Sequence, residues 1–144
     1  MAPLGPRITN LSPAVLAALA LLVMGAAMSG QAGKPGAGEA ADAVVQSAVN
    51  GAPVVVFSKT YCPYCKRVKG LFRELGVRPT YYELDTRPDG GDIQDALLRH
   101  TGIRSVPQVF VAGKFIGGSD DTSAKYQAGE LKPLVMAAVG HDET

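Results

Sequence analysis

The sequence predicts an α/β domain in which a small mixed sheet of four strands is flanked by helices. Strand-like and helix-like segments alternate in the first half of the domain, and this order requires a parallel strand pair joined by a crossover helix. Two strand-like runs then flank the dipeptide Ala112-Gly113, which is typical of a hairpin turn and adds antiparallel pairing. Two helical segments complete the predicted order α-β-α-β-α-β-β-α-α.

The chain of 144 residues divides into a leader and one folded domain. Residues 1–41 contain three charged residues and no aromatic residue, whereas all nine aromatic residues lie between Phe57 and Tyr126. Because aromatic side chains supply much of the buried area of a core, we expect the domain to begin shortly before Phe57. The predicted divisions are a signal peptide or signal anchor over 1–29, a flexible linker over 30–41, the folded domain over 42–140 and a tail over 141–144.

The leader contains fifteen consecutive apolar or small residues, from Ala14 to Met28, after Met1 and Arg7. As a helix this run covers roughly 22 Å, which is shorter than the ~30 Å hydrocarbon core of a bilayer. A basic start, a short apolar run and small residues at its end are typical of a secretory signal peptide, here cleaved after Ser29, with Gly30-Gln31-Ala32 as a second candidate site. We therefore expect the secretory pathway, in the endoplasmic reticulum or Golgi lumen, with membrane attachment only if the leader stays as an anchor. Organelle targeting and a cytoplasmic location are the alternatives.

The first half of the domain contains two helical and two strand-like patterns. The first helical face is formed by Ala41, Val45 and Ala48. The β-branched run that follows Pro53 is typical of a strand buried on both faces. Apolar residues then recur at helical spacing until Gly76, which we expect to end the second helix. These patterns predict a helix over 40–50, a strand over 53–58, a helix over 64–75 with Val68, Leu71, Phe72 and Leu75 on one face, and a strand over 80–84.

The second half predicts three helices and the hairpin. The third helix spans 92–101 and ends at Gly102, and the two hairpin strands span 108–111 and 114–116. Asp120-Asp121-Thr122 offers capping side chains for a short helix that reaches Gln127. A last helix starts at Glu130. The expected buried faces are Ile93, Ala96, Leu97 and His100 on the third helix, and Leu131, Leu134, Val135 and Ala138 on the last.

Charge and cysteine content exclude several classes of function. Fourteen basic and thirteen acidic residues give a net charge of +1, which cannot gather nucleic acid, so we expect no nucleic-acid partner. Two cysteines cannot build a disulfide-rich secreted scaffold. A four-ligand zinc site would need a second pair of ligands, and His100 and His141 are isolated in the sequence. We therefore expect no metal site.

The motif Cys62-Pro63-Tyr64-Cys65 lies where the first strand ends and an amphipathic helix begins. A helix N-terminus carries a partial positive charge and unpaired N–H groups, and Lys59, Lys66 and Arg67 add further positive charge. These influences lower the pKa of a thiol and favour a thiolate at Cys62. Cys65, one turn further on, is placed to attack a mixed disulfide at Cys62. The pair is therefore predicted to be redox-active.

Three motifs together resemble a family. The segment 59–65 (KTYCPYC), Ser105-Val106-Pro107 and the segment 117–121 (GGSDD) resemble a dithiol glutaredoxin of the thioredoxin fold, over about residues 43–139. The resemblance implies a glutathione-dependent oxidoreductase that takes part in electron transport. It would reduce protein–glutathione mixed disulfides and protein disulfides through Cys62 and Cys65, which also form the redox disulfide.

The resemblance also implies the partners. Glutathione would be the co-substrate, with no tightly bound cofactor. The other partners would be glutathionylated or disulfide-containing proteins and, indirectly, glutathione reductase, and the chain would be a monomer. Two alternatives stay open: a thioredoxin-like general dithiol reductase, and a dimer that holds a [2Fe–2S] cluster through Cys62 thiolates and two glutathiones.

The resemblance finally implies a set of glutathione contacts. The Val106 backbone would pair with the peptide part of glutathione at a cis-proline turn. Ser119 and Asp120 would hold the carboxylate and the ammonium of the γ-glutamyl group, although from the residues alone they are equally explained as helix caps. The predicted contacts are Lys59 and Gln94 for the glycyl carboxylate, with Arg104 as a weaker candidate, Tyr64 flanking the tripeptide, and Val106, Pro107, Gly118, Ser119 and Asp120.

Overall fold

The computed structural model of the chain describes residues 34–140. The predicted signal sequence, residues 30–33 of the predicted linker and the tail over 141–144 lie outside the described residues. The elements in chain order are α1 (Ala37–Gly51), β1 (Val54–Ser58), α2 (Pro63–Glu74), β2 (Thr80–Glu83), a 3₁₀ turn (Leu84–Thr86), α3 (Gly90–Thr101), β3 (Gln108–Val111), β4 (Lys114–Gly117), α4 (Ser119–Gln127) and α5 (Leu131–Gly140).

The four strands form one mixed sheet in the order β2-β1-β3-β4. β1 is parallel to β2 and antiparallel to β3, and β3 is antiparallel to β4. The hairpin turn is the predicted dipeptide, in which Ala112 and Gly113 have φ of 50° and 76°. Two successive positive φ angles match the right-handed twist of the flanking strands. The predicted four-stranded mixed sheet flanked by helices is therefore confirmed.

Each face of the sheet is covered by its own helical layer. Because side chains alternate along a strand, Val55 and Phe57 of β1 pack with α1 and α3, whereas Val54 and Val56 pack with α2 and α5. All five residues of β1 are buried, as the continuous β-branched run predicts. Packing on both faces of the sheet thus fixes β1. It also fixes the point at which the chain leaves β1 after Ser58.

The first helix begins earlier than the sequence pattern predicts. α1 starts at Ala37, so residues 37–41 of the predicted linker are helical and Ala41 belongs to the core. The Glu39 side chain accepts a hydrogen bond from the Gly36 backbone N–H at 3.3 Å. A carboxylate in the first helical turn also lies near the positive end of the helix dipole. These local interactions extend the helix beyond its apolar face.

The expected capping of the short fourth helix is wrong. α4 begins at Ser119, and its N-cap is Gly118, a residue that has no side chain with which to cap the helix. Asp120 and Asp121 lie inside the first turn, where their carboxylates favour the helix through its dipole rather than through a cap hydrogen bond.

Two residues expected on buried faces are exposed, namely His100 and Leu134. His100 lies at the end of α3, where its Nε2 is 3.3 Å from a carboxylate oxygen of Asp42 on α1. α5 buries only Leu131, Val135 and Ala138, which form a narrower stripe than the sequence pattern suggests. Within residues 34–140, no helix combines the length and apolar character needed to cross a membrane.

The backbone of Gly90, at the start of α3, lies very close to the backbone of Leu84, and this contact gives a test of the fold. A Cβ atom at Gly90 would overlap the carbonyl oxygen of Leu84, whereas a Cβ at Gly91 would meet nothing within 4 Å. We expect Gly90→Ala to lower the free energy of unfolding by about 3 kcal/mol, since two backbone segments would have to separate. Gly91→Ala, the matched control, should raise it by about 0.5 kcal/mol. Urea titration measures both, and equal values would contradict this account of the approach.

Candidate active site

The candidate site lies at one edge of the sheet because four chain segments meet there. β1 ends at Ser58 and β2 at Glu83, and these two residues are partners in the parallel register. β3 runs the other way and starts at Gln108, opposite Phe57, while β4 ends at Gly117, opposite Val109. The sheet topology therefore brings together the segments that follow β1 and β4 and the segment that precedes β3, which are the three sequence motifs.

Cys62 occupies the N-cap of α2, as the sequence predicts. Its backbone is extended (φ −76°, ψ 120°), and Pro63 takes the first helical position, where the missing N–H costs nothing. The Cys62 carbonyl accepts a hydrogen bond from the Lys66 N–H at 3.1 Å, and its own N–H donates to the Lys59 carbonyl at 3.2 Å. These bonds hold the Cys62 side chain at the positive end of the helix.

Asp85 fixes the loop that leads to Cys62. The Thr60 N–H donates to one carboxylate oxygen of Asp85 at 3.0 Å, and the Thr60 hydroxyl donates to the other. The hydrogen bonds from the Thr60 hydroxyl and N–H hold the pKa of Asp85 below its ordinary value. Asp85 is not among the site residues that the sequence predicts. Its position was the available signal: Asp85 comes two residues after the end of β2, the parallel neighbour of β1, and therefore lies at the same sheet edge as Thr60.

The two cysteines are free thiols with different environments: Cys62 is partly exposed and Cys65 is fully buried. Burial raises the pKa of the Cys62 thiol, but hydrogen bonds from the Cys65 N–H, the Cys65 thiol and the Tyr64 N–H outweigh it. The positive charge of Lys59 acts in the same direction, so the pKa of Cys62 lies below its ordinary value. This site therefore favours a thiolate.

The pKa of Cys65 moves in the opposite direction. Burial raises the pKa of the Cys65 thiol, and the neighbouring Cys62 sulfur raises it further, while hydrogen bonds involving the Lys59 backbone and the Ser58 side chain only partly offset this. Because the two pKa shifts are opposite, Cys62 ionises before Cys65, and the protonated Cys65 thiol can donate to the Cys62 thiolate. Cys62 is thus the nucleophile, whereas Cys65 is a protonated thiol that can react in a later step.

A cis peptide bond between Val106 and Pro107 faces the reactive thiol. The Val106 carbonyl oxygen lies 3.9 Å from Cys62 Sγ. The cis geometry that the family resemblance implies for this turn is present, and the turn forms one wall beside the nucleophile.

A cleft of about 310 Å³ opens next to this turn. Its lining includes six of the predicted glutathione contacts, and it also includes Ile103, Ser105 and Asp121, which the prediction did not select. Ser105 and Asp121 belong to motifs already recognised in the sequence. Ile103 carried only a weak signal, as an apolar residue in a polar loop, and its side chain is exposed. The six predicted residues in the lining are Tyr64, Val106, Pro107, Gly118, Ser119 and Asp120.

Lys59 and Gln94 are not part of this lining. Lys59 acts on Cys62 through its charge, and the Gln94 side-chain amide donates a hydrogen bond to the Arg104 carbonyl at 2.9 Å. The Arg104 guanidinium is paired with Asp95. The three candidates for the glycyl carboxylate therefore have other interactions in this structure.

The glycine pair before α4 lets that helix approach the cis-proline turn. Gly117 has φ of +128°, which strongly favours glycine, and a Cβ there would overlap Asp121. A Cβ at Gly118 would lie 3.4 Å from the Pro107 carbonyl oxygen. The start of α4 therefore packs directly on the turn that faces Cys62.

The Ser119 hydroxyl is buried where the start of α4 packs on the cis-proline turn. The residue is 7% exposed, and within residues 34–140 its hydroxyl oxygen has no hydrogen-bond partner. A buried hydroxyl without a partner is costly, and here it lines the cleft at the start of a helix. It is thus positioned to bond a polar group that enters the cleft. Asp120, next to it, is exposed and lies 3.9 Å from an Arg67 guanidinium nitrogen.

Comparison with known proteins gives consistent results. The glutaredoxin family model matches residues 54–116. The chain is 47% identical to Glutaredoxin-C8 of Oryza sativa subsp. japonica over 131 residues, which cover 90% of this chain and 91% of that protein. It is 56% identical to a glutaredoxin of Ricinus communis over 85 residues, which cover 59% and 83% of the two chains. A crystal structure of a buckwheat glutaredoxin–glutathione complex superposes with a TM-score of 0.70 at 47% identity, covering 74% of this chain and 96% of that one.

The hydrogen bond between the two cysteines can be tested by titration. Cys65→Ala removes the thiol donor, so we expect the pKa of Cys62 to rise relative to the wild type. Cys65→Ser, the matched control, keeps a hydroxyl donor and should keep the pKa closer to the wild-type value. Thiolate absorbance in the ultraviolet and the pH dependence of alkylation rate both report this midpoint. A Cys65→Ala variant that titrates at or below the wild-type midpoint would disprove the interpretation.

Proposed function

Because the chain belongs to the glutaredoxin family, and is therefore a thiol–disulfide oxidoreductase, we propose that it uses glutathione to reduce protein–glutathione mixed disulfides and protein disulfides. The observation that carries this proposal is the pairing of a thiolate-favouring Cys62 with the adjacent cleft that contains the unpaired Ser119 hydroxyl. The buckwheat glutaredoxin, which shares 47% of its aligned residues with this chain, was crystallised with glutathione. That structural relative supports glutathione as the occupant of the cleft.

In the first half-reaction the Cys62 thiolate attacks the glutathione sulfur of a protein–glutathione mixed disulfide. A new S–S bond forms between Cys62 and glutathione, and the electrons of the broken S–S bond leave with the protein sulfur, which takes up a proton. Glutathione in the cleft directs the attack to its own sulfur, because binding fixes which sulfur lies beside Cys62.

In the second half-reaction the thiolate of a second glutathione attacks the adduct at its glutathione sulfur. Oxidised glutathione forms, and Cys62 leaves as a thiolate. A thiol with a lowered pKa leaves faster, so the hydrogen bonds that stabilise the Cys62 anion assist this step directly. The lowered pKa therefore serves the release of Cys62 as much as its attack.

Cys65 opens a second route for protein disulfides. Once Cys62 has formed a mixed disulfide with a protein, the Cys65 sulfur can attack Cys62, release the protein thiol and leave the 62–65 disulfide. Two glutathiones then reduce that disulfide. Because burial raises the pKa of Cys65, a smaller fraction of Cys65 is thiolate, which slows this attack and favours attack by a second glutathione.

The cleft residues suit the parts of the tripeptide. We assign the γ-glutamyl carboxylate to the Ser119 hydroxyl and the N-terminal N–H groups of α4, and the γ-glutamyl ammonium to the exposed Asp120 carboxylate. The Val106 backbone and Tyr64 border the peptide part. We assign the glycyl carboxylate to the Lys59 ammonium and to the Gln94 side-chain amide, whose second N–H is not used by the hydrogen bond to Arg104.

Two alternatives use the same thiolate. A thioredoxin-like reductase would reduce protein disulfides without glutathione, and a dimer would hold a [2Fe–2S] cluster through Cys62. An assay coupled to glutathione reductase separates the first from our proposal. Anaerobic reconstitution followed by visible absorption tests the second, and we expect no cluster bands.

The two cysteines should differ in their effect on turnover. Cys62→Ser removes the nucleophile, so we expect no measurable reduction of a glutathione mixed disulfide. Cys65→Ser keeps the nucleophile and should retain deglutathionylation while losing the 62–65 disulfide. The assay coupled to glutathione reductase measures the rates, and mass spectrometry identifies the disulfide. Full activity of Cys62→Ser would refute the assignment.

The Ser119 hydroxyl should contribute to glutathione binding and not to folding. Ser119→Ala removes a hydrogen bond to a charged group of the glutathione moiety in the cleft, so we expect KM for the glutathione mixed disulfide to rise about tenfold to hundredfold. Stability should not fall, because the hydroxyl has no hydrogen-bond partner to lose among residues 34–140. Ser123→Ala is the matched control, since its hydroxyl is also buried and unpaired within the described residues but lies outside the cleft lining. An unchanged KM for Ser119→Ala, or equal changes for both variants, would remove Ser119 from the binding site.

We also propose that residues 1–41 direct the chain into the secretory pathway, on the strength of the apolar run from Ala14 to Met28. A fusion of residues 1–41 to a fluorescent reporter should enter the endoplasmic reticulum. Replacing two leucines of the run with arginine is the control, because it breaks the apolar segment. A reporter that stays diffuse in the cytosol with the intact leader would contradict the proposal.

A further inference from the structure

A second cleft, larger than the one beside Cys62, has three basic residues among the seven that line it. It has a volume of about 710 Å³ and lies between the C-terminal half of α2 and the edge strand β2. α2 supplies Lys69 and Arg73, the connection to β2 supplies Arg78, and β2 supplies Tyr81. The mechanism proposed above uses none of these residues.

The charges of this basic cleft are only partly neutralised. Lys69 is paired with Glu83, and its ammonium lies 5.2 Å from the centre of the Tyr81 ring. Arg73 and Arg78 are exposed, and no carboxylate of residues 34–140 lies within ion-pair distance of either. Since the whole chain carries a net charge of only +1, this is a local excess of positive charge. The cleft is therefore complementary to an anionic group.

The neighbouring strand indicates what kind of anion fits. β2 is the end strand of the sheet order, so in the described part of the chain only one of its two edges is paired. The backbone N–H and C=O groups on an open strand edge can pair with an extended peptide. An acidic peptide could use both the strand edge and the two arginines, whereas a small free anion could use only the arginines. This arrangement favours a peptide.

We propose that this basic cleft docks an acidic segment of the protein substrate while Cys62 reacts with the mixed disulfide; this inference rests on the proposed function. Arg73 follows Cys62 by 11 positions (73 − 62) on the same helix. That separation corresponds to about 16 Å at about 1.5 Å per residue. A flexible segment of about eight residues has a root-mean-square length of about 15 Å, so it can connect the two sites. The favoured substrates carry acidic residues about eight positions from the glutathionylated cysteine.

Kinetics with matched peptides test the proposal. One peptide carries a glutathionylated cysteine, a Gly/Ser spacer of about eight residues and a Glu/Asp segment, and its partner has Gln/Asn in place of Glu/Asp. We expect kcat/KM to be about fivefold higher for the acidic peptide at low salt, and the advantage to vanish at about 0.5 M salt. The double variant Arg73→Glu/Arg78→Glu should abolish the advantage. The control Lys114→Glu/Lys132→Glu, which makes the same charge change at exposed positions outside the basic cleft lining, should keep it.

The outcomes separate this inference from the proposed function. A small glutathione mixed disulfide without a peptide reports the basal activity, which should be equal in the wild type and both double variants. Lack of turnover of that small substrate would defeat the proposed function, whereas equal kcat/KM for the two peptides in an active wild type would overturn the docking site alone. An equal loss in both double variants would show a general charge effect and also overturn it. Binding is measured by fluorescence anisotropy with the acidic peptide in which serine replaces the cysteine. The peptide should bind more weakly to the Arg73→Glu/Arg78→Glu variant than to the wild type. Full displacement of the peptide by millimolar inorganic phosphate would overturn the peptide assignment.

Discussion

The negative charge on the Cys62 sulfur is the physical requirement on which the site depends. In water a thiol at neutral pH stays largely protonated, and burial alone would make ionisation harder. The structure offsets this cost with hydrogen bonds from the start of α2 and from the Cys65 thiol, and with the charge of Lys59. The same contacts make Cys62 a good leaving group, and this matters because each catalytic cycle must break the bond that Cys62 has formed.

The sheet makes this arrangement rigid. β1 is buried on both faces, so the residue after it leaves the core at a fixed point, and the parallel neighbour places Asp85 where it can hold Thr60. The antiparallel strands return the chain to the same edge, which sets the cis-proline turn and the start of α4 beside the thiol. A cleft for a ligand therefore forms from segments that are more than 40 residues apart in sequence, such as Cys62 and Val106, whose atoms lie 3.9 Å apart.

Local sequence signals predicted most of the fold. Alternation of strand and helix patterns, the hairpin dipeptide and the glycines after helices each depend on short-range backbone physics, and the structure has these elements at nearly the expected places. The misjudged details have two sources, a local interaction at a helix start and contacts between elements. The early start of α1 comes from Glu39 and from packing of Ala41, and the exposure of Leu134 comes from how α5 lies on the sheet. Periodicity shows which residues can share a face, but not how wide a stripe the neighbouring layer covers.

For the site, the sequence alone determined the reactive pair and its position at a helix N-terminus, because cysteine spacing and the strand-to-helix transition are local features. The tertiary structure decided what surrounds that pair. It showed that Asp85 holds the loop and that the pKa values of Cys62 and Cys65 shift in opposite directions. It also showed that the buried Ser119 hydroxyl has no partner among residues 34–140, and that Gln94 bonds to Arg104. It also showed the basic cleft, which joins one helix, one connection and one edge strand. These features depend on distances between residues far apart along the chain, and only the packing of the sheet and its helices sets those distances.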